Sequence, residues 1–100
     1  MKTFKVKYTE DFLVDLKNIT RHIKTQTCSQ HIARHFAEGV IDAIEKRSFA
    51  AASYEKMIVN GIEYFRIYYG KYIVFYSVSG DIMTIKRILW SGADITGKMD

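Results

Sequence analysis

The chain contains no proline and only one cysteine, Cys28, among its 100 residues. A single cysteine excludes an intramolecular disulfide and a cysteine-rich metal cluster. No apolar run reaches the roughly 18 residues that a membrane-spanning helix requires, and the first residues, MKTFKVKYTED, lack the apolar centre of a signal peptide. We therefore expect a cytoplasmic protein with no membrane-spanning segment and no membrane partner.

Apolar residues are abundant, at 48% of the chain, and the net charge is +4 with a pI of about 9.2. A chain of this length buries about two-thirds of the surface that it exposes when unfolded, which is enough for one core. We predict a single domain over residues 1–100. The positive charge favours an acidic partner, either a nucleic acid or an acidic protein.

The longest stretch of strand-forming residues is 62–90, which reads IEYFRIYYGKYIVFYSVSGDIMTIKRILW. Its β-branched and aromatic residues are interrupted clearly only at Gly70-Lys71 and at Gly80-Asp81. Glycine supplies the positive φ that the first position of a type II′ turn requires. The stretch therefore predicts an antiparallel meander of three strands joined by two-residue turns.

These two turns fix a register in which Tyr76 faces Ile85 and Val74 faces Arg87. Because side chains alternate with period two, the meander has two faces. The first face is the predicted core face, with Glu63 at its edge and Arg87 as its one charged interior member, and carries Phe65, Ile67, Tyr69, Tyr72, Val74, Tyr76, Val78, Met83, Ile85 and Leu89. The second face mixes cations, aromatics and aliphatics, and carries Ile62, Tyr64, Arg66, Tyr68, Lys71, Ile73, Phe75, Ser77, Thr84, Lys86, Ile88 and Trp90.

The residues before the meander predict one strand and two helices. Alternation from Phe4 to Tyr8 indicates an edge strand, and Thr9 is a good N-cap for an amphipathic helix of about four turns. After a polar break at 25–28, Ser29 can cap a second helix. Residues 48–56 predict a partly ordered connection, and 96–100 a frayed end. The predicted fold is α+β, in the order β-α-α-β-β-β, with an antiparallel helical hairpin packed on an antiparallel sheet.

Motifs for catalysis or metal binding are weak. The chain has no nucleophile elbow, no HExxH, no paired CxxC and no phosphate loop. His31 and His35 have a metal-binding spacing but no third ligand, so solvated helix histidines are the better interpretation. We expect no metal and no cofactor. Arg87 is expected near the sheet margin, paired with Glu63, Asp11 or Asp15.

The second face is the best candidate site. Cations interleaved with aromatics suit a phosphate backbone with stacked bases, or an acidic amphipathic protein segment. A solvated face whose aromatics only support strand pairing is the alternative, and another part of the chain could cover it in part. The residues predicted to bind a partner are Tyr64, Arg66, Tyr68, Lys71, Phe75, Lys86 and Trp90.

The order of elements and three segments together resemble the RelE/ParE superfamily of toxins from bacterial type II toxin–antitoxin modules. The segments read TEDFLVDLKNI, EYFRIYYGKYIVFYSV and DIMTIKRILWSGADI, and the resemblance covers about residues 5–95. It implies a small cytoplasmic growth inhibitor, of a kind associated with plasmid stabilisation, that a cognate antitoxin neutralises. It leaves open a homodimer or a hetero-oligomer with the antitoxin.

Members of this superfamily divide by target. RelE-like members cleave mRNA on the ribosome with a few basic residues, whereas ParE-like members inhibit DNA gyrase. In this chain Ile73 follows Tyr72 where RelE-like members have arginine, and Tyr68 stands where a second cation would follow Arg66. A ParE-type ending usually has a histidine near Trp90, which is also missing.

The Arg87-Ile88-Leu89 run and Asp94 nevertheless resemble a ParE-type ending. Because the cations of the nucleases are missing, the resemblance predicts a ParE-like inhibitor of gyrase that is not an enzyme. The alternative is a ribosome-dependent mRNA endonuclease that would use Arg66, Lys86, Arg87 and Tyr68. A second alternative is a degenerate member that only binds its antitoxin.

Overall fold

A computed structural model describes residues 3–99 of the chain. A short 3-10 turn at Ala51–Ser53 lies in the segment expected to be partly ordered. The regular elements are β1 (Lys5–Tyr8), α1 (Glu10–Thr27), α2 (Gln30–Arg47), β2 (Lys56–Val59), β3 (Ile62–Tyr69), β4 (Tyr72–Ser79), β5 (Ile82–Trp90) and α3 (Ile95–Lys98). This is the predicted α+β order with two additional short elements, the strand β2 before the meander and the helix α3 after it.

Both helices begin at the predicted caps. The Thr9 hydroxyl accepts a hydrogen bond from the Phe12 amide at 3.1 Å, and the Ser29 hydroxyl accepts one from the Ile32 amide at 3.1 Å. The helix α1 continues through the expected break to Thr27. Within this last turn the Thr25 and Thr27 hydroxyls donate hydrogen bonds to carbonyls one turn earlier. Only two residues then separate the helices, which form the predicted hairpin.

The sheet has five strands in the order β1-β5-β4-β3-β2. It is mixed rather than wholly antiparallel, because β1 pairs in parallel with β5 while the other neighbours are antiparallel. The helix α1 packs against β5 and α2 packs against β3. Both long helices therefore lie on one side of the sheet.

The register predicted for the meander is confirmed as far as Tyr76 and Ile85. Gly70 and Gly80 have φ values of 57° and 62°, as two-residue turns with glycine first require. These turns place Phe65 opposite Tyr76 and Tyr76 opposite Ile85.

Beyond Ile85 the predicted register is wrong, because β5 contains a β-bulge. Lys86 is an extra residue between Ile85 and Arg87, so Val74 faces Ile88 instead of Arg87. The bulge exchanges the faces of all later residues of β5. Ile88 enters the core of the first face, Leu89 moves to the second face, and the charged residue expected in the core is no longer there.

The structure has two apolar clusters, one on each face of the sheet. The larger lies between the first face and the helical hairpin, and its fully buried members include Phe12, Ile44, Tyr76 and Met83. The smaller lies on the second face and consists of Val59, Tyr64, Ile73, Phe75, Leu89 and Met99, with Met57 and Ile95 packed against it.

Candidate functional site

The second face of the sheet is covered in part by the C-terminal segment 95–99. Met99 is 2% exposed and packs with Ile95 against the cluster that contains Tyr64 and Phe75. Phe75 is 0% exposed and Tyr64 is 3% exposed. The expectation that the segment frays is therefore wrong for residues 96–99, and Asp100 lies outside the described residues.

Two polar side chains attach this segment to the sheet. The Asn60 side-chain amide donates hydrogen bonds to the carbonyls of Thr96 at 2.9 Å and Met99 at 2.6 Å. Asn60 occupies the first position of the turn between β2 and β3 with φ of 53°, a conformation that asparagine tolerates better than most residues. Arg87 Nη1 donates to the Lys98 carbonyl at 2.7 Å. The segment is therefore fixed at two points as well as by apolar contact.

Arg87 also binds Asp15 of α1, one of the three partners that the sequence suggested. Its Nε lies 2.6 Å from Oδ2 and its Nη2 lies 2.8 Å from Oδ1, a bidentate pair. The same carboxylate accepts a hydrogen bond from the Ile88 amide at 3.2 Å. Because β1 pairs with β5 only as far as Ile85, Asp15 covers part of the strand edge that β1 leaves open.

The residues predicted to bind a partner fall into different environments. Tyr64 and Phe75 lie buried beneath the C-terminal segment, whereas Tyr68, Lys71 and Trp90 are exposed. Arg66 and Lys86 are half-buried.

Two of them are in contact, and two others lie at the same end of the sheet. The Arg66 guanidinium carbon lies 5.8 Å from the centre of the Tyr68 ring. Lys71 and Trp90 lie at one end of the sheet, where the Ser91 amide donates to the Lys71 carbonyl at 2.8 Å.

The four residues of the nuclease hypothesis stand on two strands. Arg66 and Tyr68 lie on β3, and Lys86 and Arg87 lie on β5, with buried Phe75 of β4 between Arg66 and Arg87. The register predicted from the turns aligns Arg66, Phe75 and Lys86 in one row across the strands. This row is wrong by one residue, because the bulge puts Arg87 in the place of Lys86. Arg66 lies near the ring of Tyr68, and Lys86 and Arg87 line one pocket of about 180 Å³ on the other side of Phe75.

An apolar groove that the sequence did not reveal lies beside α1. Two adjoining pockets of about 420 and 350 Å³ share Tyr72 at their boundary. Phe36 packs edge-on against Tyr72 with ring centres 5.4 Å apart. We call this the Tyr72 groove, and its other apolar lining includes Ile19, Ile23, Ile88, Leu89, Trp90 and Ala93.

The polar lining of the Tyr72 groove consists of Asp15, Asn18, His22, Gln26, Thr27, Lys71 and Lys98, and Asp15 is paired with Arg87. At the open end of the groove the Trp90 indole packs closely over Gly92. An added Cβ at Gly92 would stand 2.5 Å from the indole ring.

Alternation assigned Tyr72 and Leu89 to the core face but placed Ile88 and Trp90 on the second face. The prediction for Trp90 is wrong, because the bulge pairs it with Tyr72 on the first face. Nothing in the sequence shows that α1 leaves the Tyr72 groove open.

Arg47 is a second feature that the sequence did not single out. Its Nη1 donates hydrogen bonds to the Arg66 carbonyl at 2.9 Å and to the Tyr76 hydroxyl at 3.1 Å, and the guanidinium stacks 3.5 Å above the centre of the Tyr54 ring. The Tyr76 hydroxyl donates to the Ala51 carbonyl at 2.8 Å. Burial raises the pKa of Tyr76, and Arg47 offsets part of that rise. This network joins the end of α2 to the sheet.

The described residues hold no group of three or more histidine, cysteine or acidic side chains that could bind a metal. His31 and His35 are exposed on α2 with their rings stacked 6.4 Å apart. Within residues 3–99, no helix is both long and apolar enough to span a membrane.

Comparison with known proteins identifies the family. No curated protein sequence matches the chain. A sequence model described as the ParE toxin of the type II toxin–antitoxin system, parDE, matches residues 6–94, which include the hairpin and the whole meander. The predicted kinship with the RelE/ParE superfamily is confirmed, and with it the class of partner, an antitoxin. The chain belongs to the ParE toxin family of type II toxin–antitoxin systems.

Proposed function

We propose that this toxin arrests growth by binding DNA gyrase as a protein inhibitor and that it does not cleave RNA. The observation that carries the proposal is the cover over the second face, where Ile95 and Met99 lie on the cluster containing Phe75. A nuclease site needs an open surface on which cations and a general base reach the scissile phosphate. The match of residues 6–94 to ParE toxins favours the same conclusion.

The electrostatics of Arg87 support a role in binding and stability more than one in catalysis. Its guanidinium already forms a bidentate pair with Asp15, and both side chains are largely buried. In a nuclease, Arg87 would have to stabilise the negative charge that develops on the phosphate during cleavage. It would then have to release the Asp15 carboxylate and bind the substrate phosphate instead. Removing one partner of a buried pair costs about 3–5 kcal/mol, so the exchange is unfavourable.

The antitoxin is proposed to lay an amphipathic segment along the Tyr72 groove. The groove offers adjoining apolar pockets, and recognition of an amphipathic helix requires apolar anchors at helical spacing. Lys71 and Lys98 on its rim would attract an acidic segment. Trp90 is 56% exposed at the open end, and exposed aromatic residues of this kind often dominate the energy of an interface.

A supercoiling assay with purified gyrase and relaxed plasmid tests the choice of target. We expect supercoiling to stop as the folded toxin is added in excess and to recover when the antitoxin is added. A translating extract supplied with the same toxin should show intact transcripts. Normal supercoiling together with cleaved transcripts, which disappear in Arg66→Ala, would overturn the proposal.

Antitoxin affinity tests the groove. Trp90→Ala should weaken antitoxin binding tenfold or more, because a truncated aromatic anchor costs about 2 kcal/mol or more. The matched control is Phe49→Ala, since Phe49 is 55% exposed and lies outside the lining of the groove. Equal antitoxin affinities of the two variants would show that the antitoxin does not bind in the Tyr72 groove. The result of the gyrase assay does not depend on this outcome.

A further inference from the structure

The outer side of the helical hairpin carries a second groove, distinct from the Tyr72 groove. It lies between α1 and α2 and has a volume of about 360 Å³. Four cations stand along it, three on α1 and one on α2, and we call it the basic groove. Its lining consists of Lys17, Thr20, Arg21, Lys24, Gln30, Ala33, Arg34 and Ala37.

Within residues 3–99, no ion pair is found for the cations of the basic groove. None of its lining residues is acidic, and the ion pairs found in residues 3–99 join other residues. The side chains of Lys17, Arg21, Lys24 and Arg34 are all exposed. The local charge of the groove is thus as large as the net charge of the whole chain, +4.

The spacing of these cations suits a phosphate backbone. Lys17, Arg21 and Lys24 follow one another at helical spacing and span about 10 Å along the axis of α1. One strand of duplex DNA carries a phosphate about every 3.4 Å of axis, so this length corresponds to about three phosphates. Arg34 stands across the groove from these three cations. Ala33 and Ala37 line the space between the helices, and their small side chains leave room for a phosphate backbone to approach.

The uncharged lining distinguishes a duplex from other anionic partners. No aromatic side chain lines the basic groove, whereas proteins that bind single strands stack bases on aromatic rings. Its only apolar lining residues are Ala33 and Ala37, whereas a groove for an amphipathic helix offers pockets for large apolar anchors. Lysine, arginine, threonine and glutamine are residue types that contact phosphates.

We propose that the basic groove of the helical hairpin binds the phosphate backbone of duplex DNA. This activity belongs to the toxin itself and does not depend on which enzyme it inhibits. Contacts to phosphate carry no sequence information, so the binding is independent of sequence and weakens with salt. It holds the toxin on DNA, where a partner that acts on DNA is also found.

Fluorescence anisotropy with the full chain and a labelled duplex of about 20 base pairs, roughly two helical turns, tests the proposal. With up to four phosphate contacts, we expect log K to fall with log salt with a slope of about −3 to −4. Arg21→Gln combined with Lys24→Gln should reduce that slope by about 2 and weaken binding about tenfold at low salt.

The matched control is Lys5→Gln combined with Lys7→Gln, which removes the same charge from exposed positions on β1. This control should change affinity less than twofold, and circular dichroism should show that both double variants are folded. An equal loss of DNA affinity in the two double variants would mean that only the net charge matters, and it would overturn the proposal. Absence of DNA binding at low salt would overturn it as well.

Two further affinity measurements test the nature of the ligand. A duplex RNA of the same sequence that binds more tightly than DNA would assign the groove to RNA and overturn the proposal. The antitoxin should bind the Arg21→Gln/Lys24→Gln variant as tightly as it binds the parent. A loss of antitoxin affinity in this variant, with DNA affinity unchanged, would assign the groove to an acidic protein segment instead.

Discussion

The two faces of the sheet are covered in very different ways. The first face lies beneath α1 and α2, two helices of 18 residues each that enclose Phe12, Val40 and Ile44. The second face lies beneath α3, a helix of four residues, and Met99. Both covers bury aromatic side chains of β4 completely, since Tyr76 and Phe75 are each 0% exposed.

The difference shows which part of the fold can change without unfolding. The hairpin contributes three fully buried side chains to the main core, so it cannot leave the sheet unless the core is lost. The segment 95–99 is short, and it is held by Asn60, Arg87 and a few apolar contacts. Local opening is cheapest in such segments. The buried aromatic residues of the second face, Tyr64 and Phe75, therefore lie under the weaker cover.

The strongest test of this comparison is at the first face. Phe12 is fully buried on α1 and stacks on Tyr8 with ring centres 5.5 Å apart. Phe12→Ala should lower the free energy of unfolding by about 3–5 kcal/mol, because the cavity adds to the lost transfer energy. Urea denaturation measures the loss. The adjacent exposed Leu13 gives the control, and Leu13→Ala should change stability by less than about 0.5 kcal/mol.

A small effect of Phe12→Ala would mean that the hairpin contributes little to the main core. The helical hairpin would then detach from the sheet as easily as the segment 95–99 does, and the two faces would not differ in how firmly they are covered.

Local patterns determine most of this fold. Thr9 and Ser29 cap the helices through contacts three residues away in the chain, and glycine sets the turns at Gly70 and Gly80. A two-residue turn also fixes the pairing of the residues that follow it. The register is therefore predictable from the turns for as long as both strands remain regular.

The bulge at Lys86 is where that reasoning fails. The segment MTIKRILW contains no glycine or asparagine that would mark an irregular strand. One signal was present, since the regular register put Arg87 in the core, where an arginine is costly without a partner. The extra residue removes this conflict by placing Ile88 in the core and letting Arg87 reach Asp15.

The C-terminal cover was not predictable for a different reason. The segment 95–99 has no periodicity, and its contacts are with Asn60, Tyr64 and Phe75, which are far away in the sequence. The excess of apolar residues on the second face did indicate that something covers it. Only the fold shows that part of the cover is the chain itself.

An intermediate effect is expected at Gly39, which lies on α2 above the first face. The hydroxyl of Tyr69 approaches so closely that an added Cβ would overlap it and would stand 2.8 Å from the ring carbon that carries it. The ring is held edge-on by Phe36, with centres 5.5 Å apart. Gly39→Ala should therefore destabilise the fold by about 1–2 kcal/mol, although alanine in a helix is worth about 1 kcal/mol more than glycine.

A double-mutant cycle checks the physical cause. Tyr69→Phe removes the closest atom, so Gly39→Ala should cost less in that background, with a coupling energy of about 0.5 kcal/mol or more. Thermal or urea unfolding of the four proteins measures this coupling. If Gly39→Ala stabilises the parent, helix propensity exceeds the steric cost and the hairpin has more room above the sheet than the structure indicates.

The smallest change in global stability is expected for a substitution at Met99. This substitution tests whether the segment 95–99 leaves the sheet while the rest of the fold stays intact. Met99→Ala removes the buried anchor of the segment, but the segment can then leave the sheet while the main core stays folded. The loss of global stability is therefore limited to the docking energy of the segment, about 1 kcal/mol, and is smaller than the 2–5 kcal/mol of an ordinary buried Met→Ala change.

Hydrogen exchange measures that opening directly. Exchange at the amide of residue 99, which bonds to the Ile95 carbonyl at 3.0 Å, should accelerate about fivefold, whereas amides of β4 should be unchanged. Met57→Ala is the control, because Met57 packs on the same cluster from β2. Acceleration throughout β4, with a loss of stability as large as that of Phe12→Ala, would make the segment part of the global fold and remove the distinction between the two faces.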